Sequence, residues 1–401
     1  MLIRNTILSS CALLVGSLVP VWARPGVPTP ETPPVTVLFS GTYFTNIAAT
    51  SAAFAAARGL KRADILYAPS LNVNLVHAEG GLSLFLSGQA GYDIHQRNSI
   101  LDRERLNLQA GADAQLEGCV ATPSGGYSRF QSDLADLNVV TTKNTQELVT
   151  GELDVTCNQS GRLVPSASFT QSWSYNTAQP YKPSDFRSTS GNGSLAYKAG
   201  TIGDFSLTGL YVQTLYPHRA IIGSGGLQSD GYDHYSIGIH YQRHIGGSLE
   251  FGASLSQAWI SYRGIGNNFS GITYDASLTY HASPRLNFSV MASRQTLPTN
   301  YLNAAYSVAE SYSANADYRL STRLSASIGA ALTHSNYTGA ALVNGIDLTA
   351  QTYHSFHGSL NYTLSPTFTV SLTAAQDQRH ADVIGYSYAG ARFGLSLSKS
   401  F

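Results

Sequence analysis

The sequence contains few charged residues for its length. Lys and Arg number 24, Asp and Glu number 24, and together they make up only 12% of the 401 residues. A soluble domain usually has about 25% charged residues, so this composition predicts a surface that contacts something other than water. The formal net charge is zero. Because nucleic-acid binding needs an excess of basic residues, we expect no nucleic-acid partner.

Long uninterrupted apolar runs are also missing after the amino terminus. No later segment reaches the 18 or more apolar residues that build a membrane-spanning helix. If this chain crosses a membrane, it must therefore cross with β-strands. The 24 tyrosines fit that interpretation, because tyrosine rings favour the headgroup level on both sides of a membrane.

The first residues predict a secretory signal peptide. Met1–Ala23 has one positive charge, then an apolar stretch and a small-residue exit, so we expect cleavage after about Ala23. A Pro-rich leader over residues 24–34 and one membrane domain over residues 35–401 would follow. The alternative is a lipid-modified Cys11, although the apolar stretch follows this cysteine instead of preceding it.

The rest of the chain is a series of short runs in which apolar and polar residues alternate. In one of them, Leu286, Phe288 and Val290 alternate with Asn287 and Ser289. This pattern is typical of strands with lipid on one face and water on the other. A soluble β-sandwich also alternates, but its exposed face is normally richer in Lys and Glu.

About eighteen such runs occur, or sixteen if one hairpin is misread. An even number of antiparallel strands returns both termini to one side, as single-chain bacterial barrels require. We therefore predict an all-β, transmembrane, up-and-down antiparallel barrel. The runs fall near residues 35–46, 63–76, 81–94, 104–117, 126–136, 145–156, 162–176, 190–199, 204–215, 233–243, 248–261, 271–281, 285–295, 306–319, 323–334, 352–363, 367–376 and 386–401.

The connections between these runs alternate in length. Tight turns such as Ala282-Ser283-Pro284 are followed by longer segments rich in Gly, Asn and Pro. Bacterial barrels have short periplasmic turns and long extracellular loops, so the alternation predicts which end faces which compartment. The predicted extracellular loops include Ala178–Ser188, Tyr216–Gly231, Gln295–Ala305 and Tyr337–Gln351.

The polar face of the strands is expected to line the lumen. A barrel of about eighteen strands is wide enough for an aqueous channel unless a segment fills it. The alternative for each charged lumen residue is ordinary hydration and salt bridging between strands. Mixed signs predict weak ion selectivity, and the hydroxyl and amide side chains suit neutral or weakly charged sugars. The charged candidates are Arg105, Asp113, Glu250, Arg285, Asp317, Arg319, Arg323 and Arg392.

Two cysteines remain once the signal peptide has been removed. Cys119 and Cys157 form an even pair in an oxidising compartment, which favours a disulfide. The alternative is a pair of free thiols too far apart to bond. No His or carboxylate cluster stands at ligand spacing beside either cysteine, so we expect no metal and no cofactor.

Enzymatic chemistry is the competing class of function. Ser355 and His357 share one face of a predicted strand, whereas His354 points to the other. A Ser–His pair on a barrel would suit a membrane-embedded hydrolase. Serine is abundant throughout the chain, however, so a serine near a histidine is weak support. We expect no catalytic residues.

The last strand carries the features expected of a barrel-assembly signal. Phe393, Leu395, Leu397 and Phe401 form one apolar face, and an aromatic residue ends the chain. The chain also has turns of the form Ser-Pro-Arg-Leu and strands of the form Asn-Phe-Ser-Val at residues 287–290 and Thr-Val-Ser-Leu at residues 369–372. From residue 35 to Phe401 it resembles the putative β-barrel porin 2 family.

That resemblance implies a porin-like barrel in the outer membrane of a Gram-negative bacterium, associated with exopolysaccharide export. It implies no specific binding residues. The expected activity is passive passage of a saccharide through a monomer-capable barrel. The alternative is a closed scaffolding barrel of an export system. The expected partners are outer-membrane lipid and lipopolysaccharide, the barrel-assembly machinery, and polysaccharide with periplasmic export components.

Overall fold

The computed structural model describes residues 33–131, 144–223, 226–263, 268–298, 306–343, 346–383 and 385–401. The predicted signal peptide and nearly all of the predicted leader lie outside these residues. Among the described residues no helix is long and apolar enough to cross a membrane.

Eighteen antiparallel strands form one closed sheet. Each strand pairs with its neighbours in the chain, and β1 also pairs with β18, which closes the barrel. The predicted all-β, eighteen-stranded, up-and-down barrel is therefore confirmed. The strands are β1 Val35–Phe44, β2 Asp64–Glu79, β3 Leu82–His95, β4 Arg103–Leu116, β5 Cys119–Gln131, β6 Thr145–Cys157, β7 Leu163–Asn176, β8 Phe186–Lys198, β9 Asp204–Gly223, β10 Gly226–Ile245, β11 Leu249–Tyr262, β12 Phe269–Ser283, β13 Leu286–Pro298, β14 Tyr306–Arg319, β15 Leu324–Val343, β16 Ile346–Ser365, β17 Phe368–Ala381 and β18 Tyr388–Ser400.

The two faces of the sheet differ in chemistry and in exposure. The outer face carries large apolar side chains that are open to the surroundings, such as Ile328 at 66% and Phe393 at 54% exposure. The inner face carries small hydroxyl side chains that are covered by their neighbours on the concave wall, such as Thr208 and Ser355. This is the arrangement that a lipid-facing exterior and a water-facing lumen require.

Aromatic side chains gather near both ends of the outer face. At the periplasmic end the rings of Phe205, Tyr241 and Phe251 follow one another across neighbouring strands, with centroids 4.8 and 6.1 Å apart. Near the other end Tyr211 packs on Tyr235 at 4.9 Å. Amphipathic rings at these heights match the two interfaces of a membrane.

Several strands are longer than the sequence indicates. The segments Tyr216–Gly231 and Tyr337–Gln351 are not loops but mostly continue the hairpins β9–β10 and β15–β16. Each hairpin has a register shift, beside Ser229 and after Asn336. Bulges of this kind interrupt the regular alternation and bend the strand, so the pattern in the sequence ends before the strand does.

Strand β5 also begins earlier than the alternating pattern of the sequence predicts. It begins at Cys119 and not near residue 126. The segment Thr122-Pro123-Ser124-Gly125-Gly126 resembles a turn, because proline lacks a donor and glycine lacks a side chain. In the structure it pairs with β6 over its whole length, while its ladder with β4 is interrupted opposite Ala112 and Asp113.

One α-helix lies in the connection between β1 and β2. Helix α1 covers Ala52–Ala57, and the side chain of Ser51 caps its amino end by accepting a hydrogen bond from the Phe54 amide. The helix is followed by Gly59 with a φ of 65°. Its inner side contributes to a small apolar cluster formed by Ala48, Ala55, Leu60 and Leu101. Short 3-10 helices cover Ser99–Leu101, Gln179–Ser184 and Gly200–Ile202.

A disulfide joins the first residue of β5 to the last residue of β6. Cys119 and Cys157 are directly opposite each other in the ladder, with Cα atoms 3.9 Å apart. They lie at the periplasmic end, where the β4–β5 turn and the β6–β7 turn meet. The bond therefore links these two neighbouring turns covalently.

Candidate lumen site

The inner wall is lined mainly by hydroxyl, amide and glycine residues. Hydroxyl groups on neighbouring strands hydrogen-bond to each other, as in Ser166 with Ser194 at 2.6 Å and Ser327 with Ser359 at 2.7 Å. Such groups can donate and accept hydrogen bonds, so they can satisfy each other and still bind water or sugar hydroxyls. The wall therefore suits an uncharged polar solute.

Six of the eight predicted lumen charges lie in strands, on the polar face of the barrel wall: Arg105, Asp113, Glu250, Asp317, Arg319 and Arg392. The other two do not. Arg285 and Arg323 occupy exposed positions in the periplasmic turns, one residue before β13 and β15. These turns are so tight that the arginines complete the reversal of the chain. Their side chains belong to the periplasmic rim instead of the lumen wall.

Most of the inner charges have a partner on an adjacent strand. Arg105 pairs with Asp93 at 2.8 Å, and Asp113 accepts a hydrogen bond from Thr122 at 2.6 Å. Glu250 lies 3.7 Å from His281, which is hydrogen-bonded to Asn287. These hydrogen bonds and salt bridges between adjacent strands agree with the alternative given above, in which each lumen charge is simply paired across the wall.

A denser polar cluster lies on β16, β17 and β18. Asp377 accepts hydrogen bonds from the Tyr353 hydroxyl at 2.7 Å and the Ser355 hydroxyl at 2.8 Å. Its second oxygen lies 3.6 Å from the Arg392 guanidinium. Asp377 is mostly covered, whereas Arg392 keeps 36% of its side chain exposed. The carboxylate is thus held in the wall and the guanidinium faces the lumen.

Beside this cluster, small and large side chains alternate along one row of the inner wall. Gly329, His357, Ala375 and Arg392 are successive neighbours across β15 to β18. A Cβ added at Gly329 would lie 2.5 Å from the imidazole of His357 and would also overlap Asn315. His357 therefore lies across Gly329, and Ala375 separates it from Arg392. We call this group of Asn315, Gly329, Ser355, His357, Ala375 and Arg392, with Tyr353 above it, the wall recess.

The geometry gives no support to a Ser–His pair. Ser355 and His357 share the inner face, as expected, but the Ser355 hydroxyl donates its hydrogen bond to Asp377. His354 lies on the outer face and packs against His380, with ring centroids 6.1 Å apart. A nucleophilic serine needs a base within about 3 Å, and here its partner is a carboxylate that already accepts from Tyr353.

The connection that contains α1 packs on the lumen side of β17 and β18. Arg379 is buried and donates hydrogen bonds to the carbonyls of Tyr386 at 2.8 Å and Ala49 at 2.9 Å. The Thr50 hydroxyl donates to the Gly385 carbonyl at 2.7 Å. Nothing in the hydrophobic pattern indicates these contacts, because polar side chains reach backbone carbonyls far away in sequence. They place part of an extracellular loop directly above the wall recess.

An apolar groove of about 850 Å³ lies on the opposite face of the same strands. Its lining includes Phe39, Tyr67, Ile328 and Phe393, all of which are on the outer face. The groove therefore belongs to the lipid-facing surface and not to the lumen.

The closed barrel and its polar lumen can now be compared with known proteins. The carboxy-terminal part of the chain, residues 264–401, matches the family described as putative beta-barrel porin 2. This confirms the predicted resemblance for that part. No curated protein matches the sequence.

Solved structures of outer-membrane barrels share the fold. The FrpB iron transporter of Neisseria meningitidis superposes with a TM-score of 0.51 at 9% identity, covering 88% of this chain and 62% of the transporter. OccK2 (OpdF) of Pseudomonas aeruginosa, solved in complex with glucuronate, superposes with a TM-score of 0.50 at 11% identity, covering 92% of this chain and 99% of that protein. The chain thus has the fold of an outer-membrane porin-like barrel.

Proposed function

We propose that this protein is a passive outer-membrane conduit for a saccharide and that it serves exopolysaccharide secretion. The observation that carries the proposal is the inner wall, where hydroxyl groups such as those of Ser311 and Thr333 pair across strands at 3.1 Å. A wall of weakly charged donors and acceptors exchanges hydrogen bonds with sugar hydroxyls without holding them tightly. Such a wall supports passage, and on this proposal the protein acts without enzymatic chemistry.

The outer surface supports a place in the outer membrane. Outside the apolar belt, at the extracellular end, Arg129 pairs with Glu104 at 2.7 Å and lies 3.7 Å from Glu147. Charged groups at this height meet the polar part of lipopolysaccharide. On this proposal, the signal peptide delivers the chain to the periplasm. The barrel-assembly machinery then inserts it through the strand that contains Phe393, Leu395, Leu397 and Phe401.

Single-channel recording tests whether the lumen conducts. The mature protein, refolded and reconstituted in a planar bilayer, should give steady conductance that neutral oligosaccharides reduce in a concentration-dependent way. Ser359→Cys places a thiol on the inner wall, and Leu360→Cys places one on the outer face, one residue away. The native Cys119 and Cys157 are bonded to each other and do not react.

A charged, water-soluble thiol reagent should lower the conductance of the Ser359→Cys channel in one step and leave the Leu360→Cys channel unchanged. Equal sensitivity of both variants would contradict an aqueous path along this wall. Demonstrably folded protein that gives no conductance would overturn the conduit and favour the scaffolding barrel. The packing of the α1 connection over β17 and β18 is the observation in favour of that second function.

A further inference from the structure

The wall recess combines short side chains with polar and charged ones. Asn315 and His357 fill the space over Gly329, whereas the short side chain of Ala375 leaves an indentation between His357 and Arg392. Asn315 and His357 lie on one side of the indentation, because both would meet a Cβ placed at Gly329. Arg392 lies on the other side, next to Ala375. The recess extends from β14 to β18, about 19 Å along the wall at about 4.8 Å per strand, so an oligosaccharide and not a single sugar ring is needed to contact all of it.

Arg392 is positioned to bind an anion. Its contact with Asp377 is 3.6 Å long, which exceeds hydrogen-bond length, and its side chain is 36% exposed. Tyr353 and Ser355 donate to Oδ1 of Asp377, and Arg392 faces the other oxygen, Oδ2, without a hydrogen bond to it. A guanidinium with free donors at a lumen surface matches the planar, two-oxygen geometry of a carboxylate.

The charge around the recess is also positive. Arg379 lies one row above Asp377 on β17 and stacks on the ring of Tyr388 at 4.8 Å. Two arginines, Arg379 and Arg392, thus lie on the part of the wall that carries one carboxylate, that of Asp377. Strand β6 carries Glu152 and Asp154 on the inner wall, whereas β4 carries both signs there, with Arg105 and Asp113. A negatively charged solute is therefore attracted more strongly to the β15–β18 wall than to β6.

The remaining groups fit the hydroxyls of a saccharide. The hydroxyls of Tyr353 and Ser355 donate to Asp377 beside the guanidinium and keep lone pairs that can accept, while His357 and Asn315 lie further along the same wall. We propose that the wall recess is a binding subsite for an acidic oligosaccharide, with a uronate carboxylate on Arg392, hydroxyls of the same sugar on Tyr353, and hydroxyls of the neighbouring sugar on His357 and Asn315. The inference rests on the proposed saccharide conduit, which it narrows to uronate-containing sugars.

Equilibrium binding tests the subsite without requiring conductance. Trigalacturonate is titrated calorimetrically into the refolded mature protein in detergent micelles, with neutral galactotriose as the reference. Trigalacturonate should bind at least tenfold more tightly. Arg392→Gln should abolish that preference, because the carboxylate loses its cationic partner. Heat-modifiable mobility on electrophoresis confirms that each variant is folded.

Arg105→Gln is the matched control. Arg105 also lies on the inner face, is exposed to nearly the same extent at 35%, and pairs with an aspartate, but it lies on β4 outside the recess. Its substitution should change the affinity for trigalacturonate by less than twofold. Equal losses in the two variants would overturn the subsite, since they would reflect general lumen charge. Equal affinity of the wild type for the acidic and neutral sugars would also overturn it.

The subsite and the conduit fail in different ways. If the reconstituted wild-type protein does not conduct but binds trigalacturonate in a way that depends on Arg392, the conduit is overturned and the subsite is upheld. A conducting channel that neutral and acidic sugars block equally would overturn the subsite and uphold the conduit. Inorganic phosphate is titrated as a further arm, and phosphate competing as strongly as trigalacturonate would show a simple anion site and overturn the saccharide assignment.

Discussion

The two ends of the barrel are built differently. At the periplasmic end most connections are tight turns of a few residues, and four of them carry glycines with positive φ: Gly80, Gly118, Gly200 with Gly203, and Gly246. At the extracellular end the connections form buried clusters around Leu101, Tyr232 and Leu348. Short turns need only to reverse the chain, whereas the longer connections must bury polar backbone and are held by specific side chains.

This difference indicates which end of the barrel tolerates amino-acid substitutions better. At the periplasmic end the strands are positioned by the ladder and, at one place, by the disulfide between Cys119 and Cys157, and the turns serve mainly to reverse the chain. The extracellular connections form the entrance of the lumen, and their stability depends on a few individual side-chain contacts. Substitutions at the extracellular end should therefore cost more than equivalent ones at the periplasmic end.

The largest effect is expected at Arg103. This arginine is almost completely buried and donates to the carbonyls of Asn144 at 2.7 Å, Leu101 at 3.0 Å and Ile100 at 3.3 Å. Arg103→Met fills the space but leaves these carbonyls without donors, at a cost of about 4 kcal/mol in the free energy of unfolding. Urea unfolding of the protein in lipid vesicles, followed by tryptophan fluorescence, measures that change.

Arg323→Met is its control at the other end. Arg323 is exposed in the turn before β15, and its substitution should change the free energy of unfolding by less than about 0.5 kcal/mol. Similar losses for the two variants would contradict the proposed difference between the ends.

A pair of glycines gives a more closely matched comparison. Gly385 and Gly246 both have positive φ, at 99° and 59°. A Cβ at Gly385 would lie 2.5 Å from Cδ2 of Phe54, while a Cβ at Gly246 would meet nothing within 4 Å. We expect Gly246→Ala to cost about 1 kcal/mol from backbone strain alone and Gly385→Ala about 3 kcal/mol, because overpacking adds to the strain.

The Phe54→Ala background separates the two causes in the same unfolding experiment. Removing the ring should reduce the cost of Gly385→Ala to about that of Gly246→Ala, about 1 kcal/mol. A cost for Gly385→Ala that is unchanged by Phe54→Ala would show that contact with α1 is not its source.

The sequence predicted the barrel well because lipid and water impose one rule on every strand. Rows such as Phe393, Leu395 and Leu397 alternate with small polar residues. This two-residue repeat can be recognised in one strand without knowing which strands lie beside it. The alternation of apolar and polar residues does not predict the strand where a bulge or a turn-like segment interrupts it. The bulges after Asn336 and beside Ser229 break the period, and Pro123 with its neighbouring glycines imitates a turn.

The lumen site was predictable only in part, for a related reason. The inward direction of Arg392 follows from its position in an alternating strand. That Asp377, Tyr353 and Ser355 join it depends on the register between β16, β17 and β18, which no single strand specifies. The contacts of Arg379 with Ala49 and Tyr386 depend further on how a loop folds back over the wall.

The smallest effect is expected at Asp382, which joins two extracellular connections. Burial would by itself raise the pKa of this carboxyl, but hydrogen bonds from the Thr349 hydroxyl and from the amides of Thr349 and Ala350 hold the pKa below its usual value of 3.8. A carboxyl with a lowered pKa in the folded state stabilises that state above its ordinary pKa. The stabilisation is lost as the pH falls through 3.8 and then through the lowered pKa.

Hydrogen exchange of the Thr349 and Ala350 amides measures this local contact. After correction for the intrinsic exchange rate, protection should be constant from about pH 5 to pH 8 and should fall below about pH 4, where the carboxylate starts to be protonated. Asp382→Asn should weaken protection at neutral pH and remove its pH dependence. Amides in the periplasmic ladder, such as those of Leu278 and Val290, should keep their protection throughout. A parallel loss there would mean that acid loosens the whole barrel, and the difference between its two ends would then not extend to their response to pH.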